Sequence, residues 1–354
     1  MKRNELTIKK LINKLYKSNE LEWEELLYIL NHIGEYGKEY LIQKAHETRM
    51  KVYGDRVFMR GLIEFTNYCK KGCIYCGIGA FNKNVDRYRL GLEEILLCCD
   101  EGYKLGYRTF VLQGGEDNFY SDDKIEEIIE EIKNRYKDTA ITLSIGEKSY
   151  ESYEKYFNAG VDRYLLRHET ASKELFEKIH TNSNYENRIQ CLWNLKKIGY
   201  QVGAGFMVGI PTQTKEDLIK DIFFLKELDP EMVGIGPFIP HKDTVFHNEE
   251  GGTLEDTIIM LALLRLFLPY VLLPATTALG TIHPFGREQG IKAGANVVMP
   301  NLSPIGVREK YSLYNGKICT GDEAAECRGC IQNRIEKAGF SVDMSRGDNI
   351  KWRR

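Results

Sequence analysis

The chain has 354 residues, 43% of them hydrophobic and 28% charged, with a formal net charge of -2. That length holds one large α/β domain or two ordinary ones, and the near-neutral balance excludes a basic nucleic-acid-binding field and an acidic tail. No apolar run reaches the roughly 18 residues of a membrane-spanning helix; Arg265 and Pro269 interrupt the nearest candidate, Leu261 to Leu273. The opening Met-Lys-Arg-Asn-Glu-Leu lacks the apolar stretch of a secretory signal. Nine cysteines are an odd number, so metal or redox use in a reducing cytoplasm is expected rather than a disulfide framework.

Residues 1 to 50 read as helices. Leu6, Ile8, Leu11, Ile12 and Leu15 recur at helical spacing, as do Trp23, Leu26, Leu27, Leu30 and Ile33. Gly34 and Gly37 punctuate the end of the second helix, and the segment is expected to cover one end of the main domain. From residue 57 a rhythm sets in. Apolar runs at 57–65, 108–113, 140–145, 162–166, 200–207, 232–237, 270–275 and 295–298 alternate with helical stretches near 91–104, 122–136, 149–158, 172–197, 214–227, 253–268 and 286–292. Such alternation predicts parallel βαβ units. Eight runs predict an α/β fold closed as a complete (β/α)8 barrel over residues 51–300, followed by a C-terminal extension over 301–354.

A barrel places its chemistry at the C-terminal ends of its strands. The first run leads into Cys69-Lys-Lys-Gly-Cys73-Ile-Tyr-Cys76. Structural zinc takes four ligands. No histidine lies between His46 and His168, so a local fourth ligand would be a carboxylate such as Glu64 or Asp86. A cubane iron–sulfur cluster is normally held by four cysteines, so three thiolates leave one iron open to a substrate or cofactor. A zinc knuckle and an open cluster both suit three cysteines. The C-x3-C-x2-C spacing, with Tyr75 before the last cysteine, resembles the signature of the radical S-adenosylmethionine (SAM) superfamily, whose chemistry uses that open iron.

The other strand ends carry their own candidates. Gln113-Gly114-Gly115-Glu116 is a plain turn, or else bare backbone and amide that accept hydrogen bonds from an ammonium. Arg163, Arg167, His168 and Glu169 fall in an apolar run, where charges are costly unless paired. They form a structural ion pair, or Glu169 receives a ribose hydroxyl and Arg163 an anionic substrate. Arg188 on the following helix suits bidentate capture of a carboxylate; His168 suits a satisfied core position. Met207 and Val208 read as core or as an adenine pocket, and Thr276, Thr277 and Thr281 as helix caps or donors to a polar ligand. Near the end, Cys319-x7-Cys327-x2-Cys330 follows Tyr311 and Tyr314. It suits a second iron–sulfur cluster, a zinc staple with Asp322, or free thiols. Cys98, Cys99 and Cys191 lie in helical stretches as buried fillers.

Together Ile63-Glu-Phe-Thr-Asn-Tyr-Cys69, Leu112-Gln-Gly-Gly-Glu-Asp117, Asp162-Arg-Tyr-Leu-Leu-Arg-His-Glu-Thr170, Gly234-Ile-Gly-Pro-Phe-Ile-Pro-His241, Pro274-Ala-Thr-Thr-Ala278 and Gly316-Lys-Ile-Cys319 resemble HydE, the [FeFe]-hydrogenase maturase branch of the radical SAM superfamily. Biotin synthase and methylornithine synthase are similar in fold and first cysteine loop and are the alternative enzymes. A zinc-stapled barrel scaffold is the alternative of another class. The HydE resemblance implies a [4Fe-4S] cluster on Cys69, Cys73 and Cys76, with SAM on the open iron. It implies SAM contacts at Gln113, Gly114, Gly115, Thr142, Glu169, Arg188 and Met207, and a substrate cavity at Arg163, Thr276, Thr277 and Tyr311. It also implies a second [2Fe-2S] or [4Fe-4S] cluster on Cys319, Cys327 and Cys330, which the family does not always keep. The substrate would be a cysteine-ligated iron carbonyl cyanide complex. The partners would be the maturases HydG and HydF and a reduced donor such as ferredoxin or flavodoxin, with neither nucleic acid nor membrane.

Overall fold

The computed structural model describes residues 3–321 and 323–353. Three helices open the chain: α1 (Arg3–Ser18), α2 (Trp23–His32) and α3 (Gly34–Tyr53). Gly34 and Gly37 do not end the helical segment as expected; Gly34 starts α3 and Gly37 lies inside it. A Cβ on Gly37 would stand 2.8 Å from Ile8 Cγ2, so the missing side chain lets α1 and α3 pack closely. Buried Arg49 of α3 donates to the carbonyls of Ala295, Gly54, Asp55 and Arg56, tying this cover to the body of the protein.

Strands and helices then alternate: β1 (Arg56–Met59), β2 (Gly61–Thr66), α4 (Leu92–Lys104), β3 (Thr109–Gly114), α5 (Asp122–Arg135), β4 (Ala140–Ser144), α6 (Tyr150–Ala159), β5 (Arg163–Leu165), α7 (Lys173–Ile179), α8 (Tyr185–Ile198), β6 (Gln201–Ala204), β7 (Met207–Val208), α9 (Lys215–Leu228), β8 (Met232–Val233), β9 (Gly236–Pro237) and α10 (Leu254–Phe267). The chain ends in α11 (Thr277–Ile282), α12 (Gly286–Lys292), β10 (Val297–Val298), α13 (Ile305–Arg308), α14 (Ala324–Lys337) and β11 (Ser341–Asp343). Every ladder pair is parallel, in sheets ordered β2-β3-β4-β5-β6-β8, β10-β1-β11 and β7-β9. Strand interiors are buried on both faces, as parallel sheets flanked by helices require. Isolated parallel bridges join Met232 to Leu272, Pro274 to Val297 and Leu62 to Asn301.

Several runs differ from expectation. The 57–65 run breaks at Arg60 into two strands that pair with different neighbours, β1 with β10 and β11, and β2 with β3. The 200–207 run breaks at Gly205, whose φ of +152 and Cβ position 2.0 Å from Gly234 O admit only glycine. The 270–275 run forms bridges instead of a ladder, and 172–197 divides into α7 and α8 around residues 180–184. That break matters for the site. The C-terminal segment returns to the opposite end of the strands: Asn349 bonds Gln201, Glu231 and Tyr270, and Arg346 pairs with Asp162. Among the described residues no helix is long and apolar enough to cross a membrane.

Candidate active site

The cysteine loop leaves the C-terminal end of β2 and is bonded to four other segments. Lys70 N donates to Glu116 O (2.9 Å), Gly72 N to Asn182 Oδ1 (2.6 Å), Ile74 N to Ile179 O (3.1 Å) and Gly77 N to Leu313 O (2.9 Å). Ile74 O accepts from Val245 N. Arg87 closes the loop from inside by donating to the carbonyls of Asn67, Ile78, Gly79 and Asn82. Cys69, Cys73 and Cys76 are half-buried free thiols. Burial pushes all three above the ordinary thiol range, Cys76 to about 12, and the neighbouring sulfurs push Cys73 further. Three thiolates here therefore need a shared cation, and a bound metal deprotonates its thiol ligands outright. Glu64 and Asp86 are taken by other partners, Lys317 and Lys310. Among the described residues no three Cys, His, Asp or Glu side chains converge on a single ion position.

Beneath the loop lies a largely apolar cavity of about 350 Å³, within the usual range for small-molecule sites. Tyr75 and Cys76 form part of its wall, together with Gln113, Glu169, Met207, Thr276 and Thr277. Five expected contacts thus meet in one space. Gly114 and Gly115 support it from behind. A Cβ on Gly115 would lie 2.2 Å from Tyr68 O and 2.6 Å from Cys69 Cβ, so glycine is what lets this turn pass against the cysteine loop. Gln113 Nε2 donates to the hydroxyl of buried Tyr311 at 3.3 Å.

Glu169 sits at φ +66, a strained conformation for a side-chain-bearing residue. Its amide donates to Gly205 O, and its carbonyl accepts from Met207 N. Behind it, buried His168 Nε2 lies 3.2 Å from Asp221 Oδ1 of α9, and Asp221 also accepts from Ala171 N. Burial drives His168 down to about 3 and Asp221 well above the carboxylate range, so the imidazole meets its partner neutral. Asp221 therefore holds the chain just beyond Glu169 through Ala171 N, while His168 Nε2 lies beside it without an aligned hydrogen bond. Glu169 Oε2 is 3.1 Å from Arg167 Nη2, but the two are not aligned to hydrogen-bond. Glu169 Oε2, Thr142 Oγ1 and Thr276 Oγ1 are buried with no hydrogen-bond partner.

Two expected roles change. Arg163 does not face the cavity. As the first residue of β5 it lies at the opposite end of the strands. Its guanidinium donates to Thr109 Oγ1 (3.1 Å) and Arg346 O (2.7 Å) and pairs with Asp348. It is a structural clamp for the C-terminal segment. Arg188 is near the site but already engaged. Its Nε meets Glu147 Oε1 at 2.6 Å and its Nη1 meets Arg167 O at 2.8 Å. Burial disfavours the Arg188 charge, yet Glu147 holds it above its ordinary range.

The charged wall opposite Glu169 was not anticipated. Buried Glu64 takes both bonds of Lys317 Nζ (2.6 and 2.8 Å) and one from Asn301 Nδ2 (2.8 Å), and Lys317 also donates to Tyr311 O. Arg287 lines the same cavity, donating to Thr277 Oγ1 at 3.2 Å and standing 3.7 Å from Cys319 Sγ. Lys317 and Glu64 each lie in a segment that carries the family resemblance, but nothing in the sequence pairs them across 253 residues. Cys319 is half-buried at φ +65, Cys327 is buried and Cys330 exposed one helical turn on. Asp322, the expected fourth partner of a zinc staple, lies outside the described residues. Cys98, Cys99 and Cys191 are buried.

The Radical SAM superfamily model matches residues 63–225. The chain is 50% identical over 301 residues to the [FeFe] hydrogenase maturase subunit HydE of Thermotoga maritima, covering 85% of this chain and 86% of that one. It is 29% identical over 304 residues to the 3-methylornithine synthase of Methanosarcina acetivorans, covering 85% of each. The crystal structure of methylornithine synthase (PylB) superposes with a TM-score of 0.83 at 25% identity, covering 94% of this chain and 97% of that one. Half-identity over most of both chains settles the kinship: the chain belongs to the radical SAM superfamily and, within it, to the HydE family.

Proposed function

We propose that this radical SAM enzyme acts in assembly of the [FeFe]-hydrogenase diiron site, with a cysteine-ligated iron carbonyl cyanide complex as substrate. The observation that carries the reading is a single cavity walled by the cysteine loop, by Glu169, whose buried Oε2 stands beside Arg167 but accepts no hydrogen bond, and by Thr276, Thr277, Arg287 and Lys317. Cys69, Cys73 and Cys76 would hold a [4Fe-4S] cluster by three thiolates. When bound there, such a cluster would supply the electron for reductive cleavage of SAM. The three-cysteine donor set and a buried Glu169 oxygen that accepts no hydrogen bond fit that pair of groups.

The chain's own residues then bind, orient and exclude. Glu169 Oε2 accepts a ribose hydroxyl, and Gln113 and the Gly114-Gly115 backbone accept from an ammonium. Thr142 and Arg188 serve from behind, and Met207 gives apolar contact. Arg287, Thr276 and Thr277 take the negative end of the substrate. Apolar walls keep water from the reacting atoms. We infer that the strands close as a complete (β/α)8 barrel; the bridges at Leu272, Pro274 and Asn301 support closure. A second cluster on Cys319, Cys327 and Cys330, a cytoplasmic setting, HydG and HydF as partners and a ferredoxin or flavodoxin donor follow from the same reading.

The test is anaerobic reconstitution followed by reduction with SAM. About four irons on the proximal loop and 5′-deoxyadenosine release support the proposal; colourless protein with stoichiometric zinc refutes it. Because 3-methylornithine synthase is a relative, lysine is run beside the iron complex. Turnover of lysine alone would replace the proposed substrate.

A further inference from the structure

We propose that His180 is a positioning residue that donates a hydrogen bond to the Cys73 sulfur and thereby sets the reduction potential of the proximal cluster. The inference rests on the proposed cluster site. His180 ends α7 and is 2% exposed. Its Nδ1 is 3.1 Å from Cys73 Sγ and its Nε2 is 3.3 Å from Tyr75 Oη. With Cys73 as a thiolate, one neutral tautomer satisfies both contacts. A phenol O–H donates to Nε2, leaving Nδ1–H to donate to a thiolate, which has no proton to give. Phe176 stacks on the imidazole at 4.4 Å and fixes its plane.

The rest of the α7–α8 break holds the same loop. Gly72 N donates to Asn182 Oδ1, Asn182 Nδ2 donates to Lys70 O, Thr181 Oγ1 donates to Gly72 O, and Ile74 N donates to Ile179 O. The contact to sulfur is therefore one of a set that keys residues 179–182 onto residues 70–75. Its electrostatic consequence has a definite sign. An N–H aimed at a cluster sulfur favours the more negative, reduced cluster, and such bonds are among the determinants of cluster potential.

The experiment is an EPR-monitored redox titration of the reconstituted holoenzyme, with iron counted on each sample. His180→Leu is expected to retain its iron and move to a more negative potential. At the wild-type midpoint its ratio of reduced to oxidised cluster should be about tenfold lower. His180→Asn, which restores an N–H near the same place, should recover most of the shift. A His180→Leu cluster with full iron and the wild-type potential overturns the inference while leaving the cluster site intact; wild-type protein that takes up no iron overturns both. If His180→Leu does not fold, His180→Phe decides. It keeps a ring against Phe176 but has no N–H, so the potential should fall in the same direction, and an unchanged potential overturns the inference.

Discussion

Cys69, Cys73 and Cys76 stand in a loop bonded to four other segments, with Arg87 holding four of its carbonyls. Cys319, Cys327 and Cys330 instead occupy one strained bend and one turn of α14, with Cys330 facing solvent. Both sets have three thiols, and His180 Nδ1 stands 3.1 Å from Cys73 of the proximal one. The difference lies in what surrounds them. The proximal loop forms part of the wall of a cavity that also holds buried polar atoms without a hydrogen-bond partner; Cys319 and Cys327 line a small neighbouring pocket that shares Glu64, Thr277, Arg287 and Lys317 with it. Cysteine count and spacing are alike in kind at the two sets, and what separates them is that a proximal cysteine, Cys76, lies in the wall of the main cavity.

The comparison breaks most readily at the proximal loop. Cys69→Ser, Cys73→Ser or Cys76→Ser is expected to reduce 5′-deoxyadenosine formation to background, and a variant at full activity would remove that cysteine from the site. Next in size is Lys317→Met. Lys317 belongs to the C-terminal extension but neutralises a fully buried carboxylate, and burial otherwise raises the Glu64 pKa against it. Leaving Glu64 unpaired should cost about 3–5 kcal/mol in denaturant unfolding. Glu64→Gln in the same chain should recover much of it. Absence of coupling between the two changes would show the pair to be incidental.

Glu169→Ala sharpens the account of the cavity. Loss of a charged acceptor should weaken SAM binding by about 2 kcal/mol, roughly thirtyfold in Kd by calorimetry. Asp221→Ala leaves Glu169 in place but removes the acceptor of Ala171 N two residues beyond it, so a smaller rise in Kd is expected with little change in iron content. An unchanged Kd would show that the strained turn holds itself. The smallest effect belongs to the distal set: Cys319→Ala should keep SAM cleavage within about twofold of wild type. A complete loss would make the distal thiols part of the reaction.

Much of this was legible where the signal is local. Apolar runs, turn glycines and the cysteine spacing locate the strand ends, and five of the expected contacts do line one cavity. Arg163 misled because its position in a strand says nothing about which end its side chain serves; the returning residues 346–348 decide that. Gly37 read as a helix stop because punctuation and close packing use the same residue. The Lys317 bond to Glu64 spans 253 residues and the His180 contact with Cys73 spans 107. Each depends on tertiary placement, and no spacing rule connects such partners. His180 was hidden further by the reading of 172–197 as one helix, since the break after Ile179 is what brings it to the loop.

The most direct measurement is Mössbauer spectroscopy of a reconstituted variant lacking Cys319, Cys327 and Cys330, with and without SAM. The account predicts a four-iron cluster in which one iron changes its spectrum when SAM is added and the others do not. A cluster whose irons are all indifferent to SAM, or a protein that holds no cluster once the distal cysteines are gone, would contradict it.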